Sequence, residues 1–332
     1  MTETKLARIR LMMGPGTLPS RGSDRMDMTR YRKSGKEQMT GGEMLAAIPE
    51  ISGVANVTVD AGNTYGIAGV DDLCRLSMAM QKVLDDPSVD GVVFVQGTNS
   101  IEETAYLLHL TLHSAKPVVV TGAQRPFTAM STDAHLNLYD ACRVAACADT
   151  VGKGVVVVTN GEINGARDVT KTHTYRLQTF RGRDLGILGY ADADAIVYYH
   201  LPARRHTLTS EFMLKPGVSL PRVEIIYVGV TSQPGLATAA VAAGAKGLVI
   251  AGTGAGSLGN LDGELSKIAG EGIVVVRSAR VGEGRIVRED NWQHPGMVAA
   301  DNLSPQKASL LVALSMAQTG NVDDIQRMFN EY

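Results

Sequence analysis

The chain has 332 residues, and 32 Lys and Arg against 34 Asp and Glu leave a formal net charge of −2. With 44% hydrophobic and 20% charged residues, it has the make-up of a globular protein that buries its own core without disulfide or metal staples, not of a disordered one. The balanced charge removes the general electrostatic case for a nucleic-acid partner, and no run approaches the roughly 20 apolar residues of a membrane helix.

The first ten residues carry charges but no apolar stretch of the signal-peptide kind. Cys74, Cys142 and Cys147 are too few and too unevenly spaced for a disulfide framework or a zinc site. A reduced, cytoplasmic protein is expected, with no membrane partner. Ala7–Met13 reads as a first strand that runs into Gly14-Pro15-Gly16-Thr17-Leu18-Pro19-Ser20. A polar segment then continues to about Gly42 without periodicity, and a loop of that length is either a lid over a site or a surface excursion. A helix over Val70–Leu84 precedes the strand Gly91–Gln96. A second helix, Ser100–Ser114, opens with Ser100 at the N-cap and Glu103 three residues later, the capping-box pattern. Strands follow at Pro117–Gly122 and Gly154–Asn160, with a helix at about Asp133–Ala148 between them, in which Cys142 and Cys147 read as small buried hydrophobes.

Leu201–Pro221 lacks periodicity and reads as a linker. Beyond it come the strands Val223–Val230, Gly247–Gly252 and Gly272–Ser278 and a helix at Gly235–Ala243. A last helix, Ser304–Thr319, has Ser304 at the cap and Pro305 at its first position. Unbroken Val/Ile runs separated by helix-length segments predict parallel strands in βα units. The predicted fold is α/β, with a larger N-terminal parallel-sheet domain (1–205), a linker (206–221) and a smaller C-terminal α/β domain (222–332).

Ligands of open parallel sheets bind outside the carboxyl ends of the strands. Three polar clusters fall there: Gly16-Thr17, Gln96-Gly97-Thr98-Asn99-Ser100, and Asn160-Gly161-Glu162 followed by Arg167 to Thr172. Two threonines beside glycines, with Lys171, have the chemistry of a hydroxyl nucleophile and a base. Taken singly, each threonine also fits an N-cap or turn, and Lys171 a surface position.

In this order the motifs resemble the bacterial-type L-asparaginase/glutaminase family along nearly the whole chain. Gly97-Thr98-Asn99-Ser100-Ile101-Glu102-Glu103-Thr104-Ala105-Tyr106, Lys116-Pro117-Val118-Val119 and Gly122-Ala123-Gln124-Arg125-Pro126 are similar to its HGTDT-EETA, KPVV and GAMRP. Met130-Ser131-Thr132-Asp133, Arg167-Asp168-Val169-Thr170-Lys171-Thr172, Val275-Val276-Arg277-Ser278 and Leu303-Ser304-Pro305-Gln306-Lys307-Ala308 match further segments. The resemblance implies a two-domain α/β amidohydrolase with an N-terminal flap and no cofactor. It also implies a homotetramer built as a pair of intimate dimers, in which a neighbour's C-terminal domain completes each site. Carried over by motif, the attacking threonine falls on Thr17 and the second threonine on Thr98. The lysine falls on Lys171 and the flap tyrosine on Tyr31, one residue further from Thr17 than the family spacing.

Several positions depart from the family. TGGTI reads Gly14-Pro15-Gly16-Thr17-Leu18, and Pro15 fixes φ and lacks an N–H. The histidine of HGTD is Gln96, its aspartate is Asn99, and the pair that grips the amino-acid head is Asn63-Thr64. The neighbour's asparagine aligns with Ala255, and Glu289, within Glu283–Asp290, is the nearest candidate by order to restore a carboxylate. A buried ammonium without a carboxylate costs several kcal/mol. Lys171 without an acidic partner is pushed toward its neutral, basic form. The expected activity is therefore cleavage of a small-molecule amide, open or cyclic, that lacks the α-amino acid head. The alternatives are an asparaginase or glutaminase with altered ligands, and a non-catalytic binding protein of this fold.

Weaker signals point elsewhere. Gly252-x-Gly254-x-Gly256 lacks the third glycine of a dinucleotide loop and reads as a turn at a subunit interface. His109 and His113 are four apart but lack a third ligand, so a solvated or interfacial face is expected. Arg204-Arg205-His206 reads as a hydrated loop.

Overall fold

Uninterrupted runs of valine become the centre of a mixed eight-stranded sheet. The computed structural model describes residues 5–289 and 296–332 and divides at Pro216/Gly217 into two units. The first begins with β1 (Arg8–Met13), α1 (Gly41–Ala47), β2 (Asn56–Val59), α2 (Val70–Asp85), β3 (Gly91–Val95) and α3 (Ile101–Thr111). It continues with β4 (Val118–Thr121), α4 (Ala134–Ala146), β5 (Val155–Thr159), β6 (Glu162–Gly165), β7 (Thr170–Lys171), β8 (Phe180–Arg181), β9 (Gly189–Ala191) and β10 (Ile196–Tyr198). The sheet order is β10-β9-β6-β5-β4-β3-β1-β2. The five strands from β5 to β2 are parallel, as the valine runs predict. β6, β9 and β10 extend it antiparallel; these edge strands are only three or four residues long and carry no apolar run that announces them.

Side-chain alternation along each strand serves both faces. Val93, Val95, Leu11 and Val156 pack with Leu138, Ala141 and Cys142 of α4. Their neighbours Val92, Phe94, Met12 and Val157 pack with Leu76 and Met80 of α2 and Ala105 and Leu108 of α3. α2 buries Leu73, Leu76, Met80 and Leu84, a helical stripe, and the Asp72 carboxylate accepts the Ala68 and Gly69 N–H groups at its start. α3 is buried on nearly all sides. The expected capping box at its start does not form. The Ser100 hydroxyl instead accepts a 2.9 Å bond from Gln96 Nε2, a partner outside the helix that outcompetes the local one.

The pair His109 and His113 does not form a solvated face. His109 is buried, accepts the Val155 N–H on Nδ1 at 3.1 Å and stacks on His206 at 4.6 Å. Burial pushes the His206 ring pKa below its ordinary value. His113 Nε2 lies 2.9 Å from the Phe212 carbonyl, and Phe212 is buried. The stretch read as a linker is thus fastened to the first unit as far as Phe212, and Arg205 pairs with Glu211 rather than standing in water alone.

The second unit contains β11 (Val223–Tyr227), α5 (Leu236–Ala242), β12 (Gly247–Gly252), α6 (Asp262–Gly270), β13 (Val274–Ala279), β14 (Met297–Ala299), α7 (Pro305–Met316) and α8 (Val322–Glu331). Its four strands are parallel in sequence order. Ser304 holds the cap position of α7, with Pro305 at its first position, but its hydroxyl makes no capping bond. The Gly252-x-Gly254-x-Gly256 segment, with Ala255, is a tight turn closed by paired bonds between Thr253 and Ser257. Glu289 is exposed in this unit, where its charge acts on Arg277; Asp290 lies outside the described residues.

Candidate active site

Parallel strands place their carboxyl ends side by side, so the loops after β1, β3 and β4 gather at one edge of the first unit. The first two touch through bare backbone. Gly97 N–H donates to the Pro15 carbonyl at 3.0 Å, so Pro15 takes part through the one polar group it keeps. A Cβ on Gly16 would lie 2.4 Å from Gly97 Cα, closer than any real Cβ contact, so only glycine fits there. The turn is then tied down by Ser20, whose N–H reaches the Thr17 carbonyl at 3.0 Å and whose hydroxyl reaches the Gly16 carbonyl at 2.7 Å.

The long segment after Thr17 folds back over this edge. Asp27 accepts bonds from Ser23 and Arg30, and these contacts lower its pKa. A backbone bond from Met39 to Pro19 joins its two ends, and one from Met130 to Arg25 pins its first half. At its tip a single turn, Tyr31–Lys33, sets the Tyr31 hydroxyl 2.8 Å from Thr17 Oγ1. Thr17 itself is buried.

Thr98 forms the second hydroxyl pair. Lys171, on the small β7–β8 hairpin, donates Nζ–H to Thr98 Oγ1 at 2.8 Å, and Thr98 donates to Gln124 Oε1 at 3.2 Å. The Gln124 amide nitrogen faces the carbonyls of His173, Thr174 and Arg176 at 3.4, 3.4 and 3.2 Å. Behind it the Asp133 carboxylate accepts the Gln124 and Arg125 N–H groups. Burial depresses the Lys171 pKa below its ordinary value, Arg32 repels it further, and Glu102 opposes both. A carboxylate is therefore within electrostatic range of Lys171 after all, although Glu102 accepts a hydrogen bond from the Thr170 hydroxyl, at 2.6 Å. The charge of Arg32 at the flap tip is thus felt on the lysine side of the site.

A cavity of about 430 Å³ opens beside Tyr31 and the turns that carry the two threonines, lined among others by Gly16, Tyr31, Arg32, Tyr65, Gln96 and Asn99, whereas Thr17, Thr98 and Lys171 lie behind this lining. Gln96 is buried, and its Oε1 finds no partner among the described residues. Gly97 and the exposed Asn99 complete that wall. Asn63 and Thr64 do not line it. Both are exposed, and Asn63 is turned to Asp60 at 3.3 Å. Tyr65 of the same segment lines it instead, anchored by its N–H to the Met13 carbonyl and by its hydroxyl to Asp60 at 2.8 Å. Burial and Asp60 push the Tyr65 pKa up to about 12. A larger, open depression of about 830 Å³ lies at the amino end of β1, around Leu6, Leu45 and Ile51, away from both threonines.

Gln124 and Arg32 are the site residues that motif reading passed over. The signal for Gln124 is its place in Gly122-Ala123-Gln124-Arg125-Pro126, where the family motif carries methionine. Arg32 sits in an aperiodic loop and has no such signal.

Residues 8–204 match the family described as Asparaginase, N-terminal, and residues 222–329 the Glutaminase/Asparaginase C-terminal domain. L-asparaginase 2 of Bacillus subtilis is 37% identical over 331 residues, covering 98% of this chain and 87% of the relative. Glutaminase-asparaginase of Pseudomonas fluorescens biotype A is 37% identical over 341 residues, covering 100% of this chain and 92% of the relative. The solved structure described as "Probable Cytoplasmic L-asparaginase" from Campylobacter jejuni matches with a TM-score of 0.89 at 32% identity, over 98% of this chain and 100% of that one.

Proposed function

This chain belongs to the asparaginase/glutaminase family, and from that premise we propose a hydrolase of non-peptide C–N bonds whose substrate amide, open or cyclic, lacks an α-ammonium group. Thr17 attacks the amide carbon, with Tyr31 receiving and relaying its proton across their 2.8 Å contact. Nitrogen leaves, carrying a proton, and an ester to Thr17 remains. Lys171, drawn toward its neutral form, takes the Thr98 proton once that hydroxyl turns from Gln124 toward Nζ, and Thr98 in turn activates the water that hydrolyses the ester. The products are an amine or ammonia and a carboxylic acid. With a cyclic amide the two stay joined in one molecule.

One observation carries the substrate reading: among the described residues, none that lines the cavity bears a carboxylate. Asn99 and Gln96 offer dipoles where an ammonium requires a charge. The test is turnover by purified protein of L-asparagine, L-glutamine, their deaminated counterparts and lactams. Efficient turnover of L-asparagine with the others ignored would replace this reading by the one that the relatives' names favour, an asparaginase with altered ligands. On the family resemblance the proposal includes a homotetramer, checked by sedimentation, and a cytoplasmic location.

A further inference from the structure

We infer that the substrate is a carboxylate-bearing amide and that Arg32 of the flap receives the carboxylate. The inference rests on the reaction proposed above and names the chemistry of the same cavity. Among the described residues, three cations line that cavity, Arg21, Arg32 and Lys36, and no acid does. They differ in what balances them. Arg21 pairs with Glu43 at 2.7 Å. Lys36 donates to the carbonyls of Gly22 and Ser23 at 2.8 and 3.0 Å, which engages two of its three protons with neutral acceptors and leaves its charge without an acidic partner. Arg32 makes no hydrogen bond or ion pair among the described residues.

Its position gives that unspent guanidinium a use. It follows Tyr31, whose hydroxyl holds Thr17, and its charge is felt at Lys171, which holds Thr98. Arg32 and Lys36 therefore bring two positive charges without an acidic partner to the cavity wall, and an anion entering the cavity offsets them. The planar fork of an arginine matches a carboxylate with two parallel bonds. Neither Asp60 nor Glu102 lines the cavity: Asp60 accepts from Asn63 and Tyr65, and Glu102 from Thr170. An ammonium would instead meet Arg32 and Lys36 on a wall whose described residues include no carboxylate. The class that fits is the monoamide of a dicarboxylic acid without an amino group.

The probes are succinate and L-aspartate, which differ by one ammonium, and their binding to the full-length protein is measured by calorimetry for wild type, Arg32→Gln and Arg32→Lys. Arg32 is exposed and unbonded, so both variants are expected to fold, and melting curves verify it. Succinate should bind wild type more tightly than L-aspartate. Arg32→Gln should weaken succinate by about tenfold or more, about 1.4 kcal/mol, and Arg32→Lys should recover part of it. Arg32→Gln leaving succinate within about twofold, well under 1 kcal/mol, or no succinate binding at all, overturns the role of Arg32 while the proposed reaction stands. L-aspartate binding more tightly than succinate overturns the reading of a missing ammonium itself.

Discussion

Replacing Lys171 by methionine separates a base from a mere structural contact. Methionine keeps an unbranched stem of similar length, so packing around the β7–β8 hairpin is retained while Nζ is lost. The lost contact is a single 2.8 Å bond to Thr98, from an amine already pushed toward neutrality by burial and by Arg32. A positioned general base contributes about 10²–10⁴-fold, so kcat/KM should fall by about 3–5 kcal/mol of transition-state stabilisation. Removing a half-buried cation that Arg32 repels should not destabilise the fold, and Tm should stay within about 2 °C. The assay is ammonia release on the best amide of the panel, run as a pH series. Wild-type kcat/KM should rise with pH and level off at an apparent pKa below the ordinary lysine value of 10.5, and that limb should vanish in the variant. Lys171→Arg is the decisive control, because a guanidinium keeps its charge and does not act as a base at these pH values. Near wild-type turnover in Lys171→Arg would refute the argument, since Lys171 would then act as a fixed cation.

Three further outcomes follow from single contacts. Tyr31→Phe removes the only group bonded to the Thr17 hydroxyl among the described residues and should lower kcat by about 10²-fold or more with KM little changed, as read from steady-state kinetics. Asn99→Asp places a carboxylate beside the Thr98–Lys171 pair; it should raise the Lys171 pKa, by about 1–3 units if the charges lie within 4–6 Å, and move turnover toward L-asparagine, seen as a shifted pH profile and a changed substrate ratio. Stability should also depend on pH through His206. Its pKa in the folded protein lies below the ordinary 6.5, so the unfolded chain binds the proton first. The stabilisation is complete above about pH 6.5 and declines as pH falls toward the folded value. Urea midpoints from pH 8 to 5 should fall for wild type and fall less for His206→Gln.

The sequence made the middle of each unit legible because continuous Val and Ile runs admit few readings once helix-length spacers separate them. β6, β9 and β10 escaped because strands of three or four residues take their identity from a neighbour, not from their own pattern. Side-chain bonds were the least legible feature. Ser100 has a capping-box neighbour in sequence yet bonds to Gln96, and His109 looks like half of an exposed pair until His206 closes over it. Motif order pointed to Thr98 and Lys171, but their meeting spans 73 residues, and local spacing carries no information on that. Arg32 was invisible for the same reason: what distinguishes it is the lack of a partner among the described residues, and that is a property of space.

The contact between Gly16 and Gly97 has an evolutionary reading. The distance between the two threonine-bearing turns is set by backbone against backbone, with no side chain between them. Changes of residue type at 15, 96 and 99 can therefore alter charge and shape at the rim without pushing the turns apart. Substrate choice becomes separable from the spacing of the reacting hydroxyls. An architecture of that kind can be moved from one amide to another by a few surface-of-pocket substitutions, and the laboratory route to a new specificity runs through the flap and positions 96 and 99, leaving the two glycines alone.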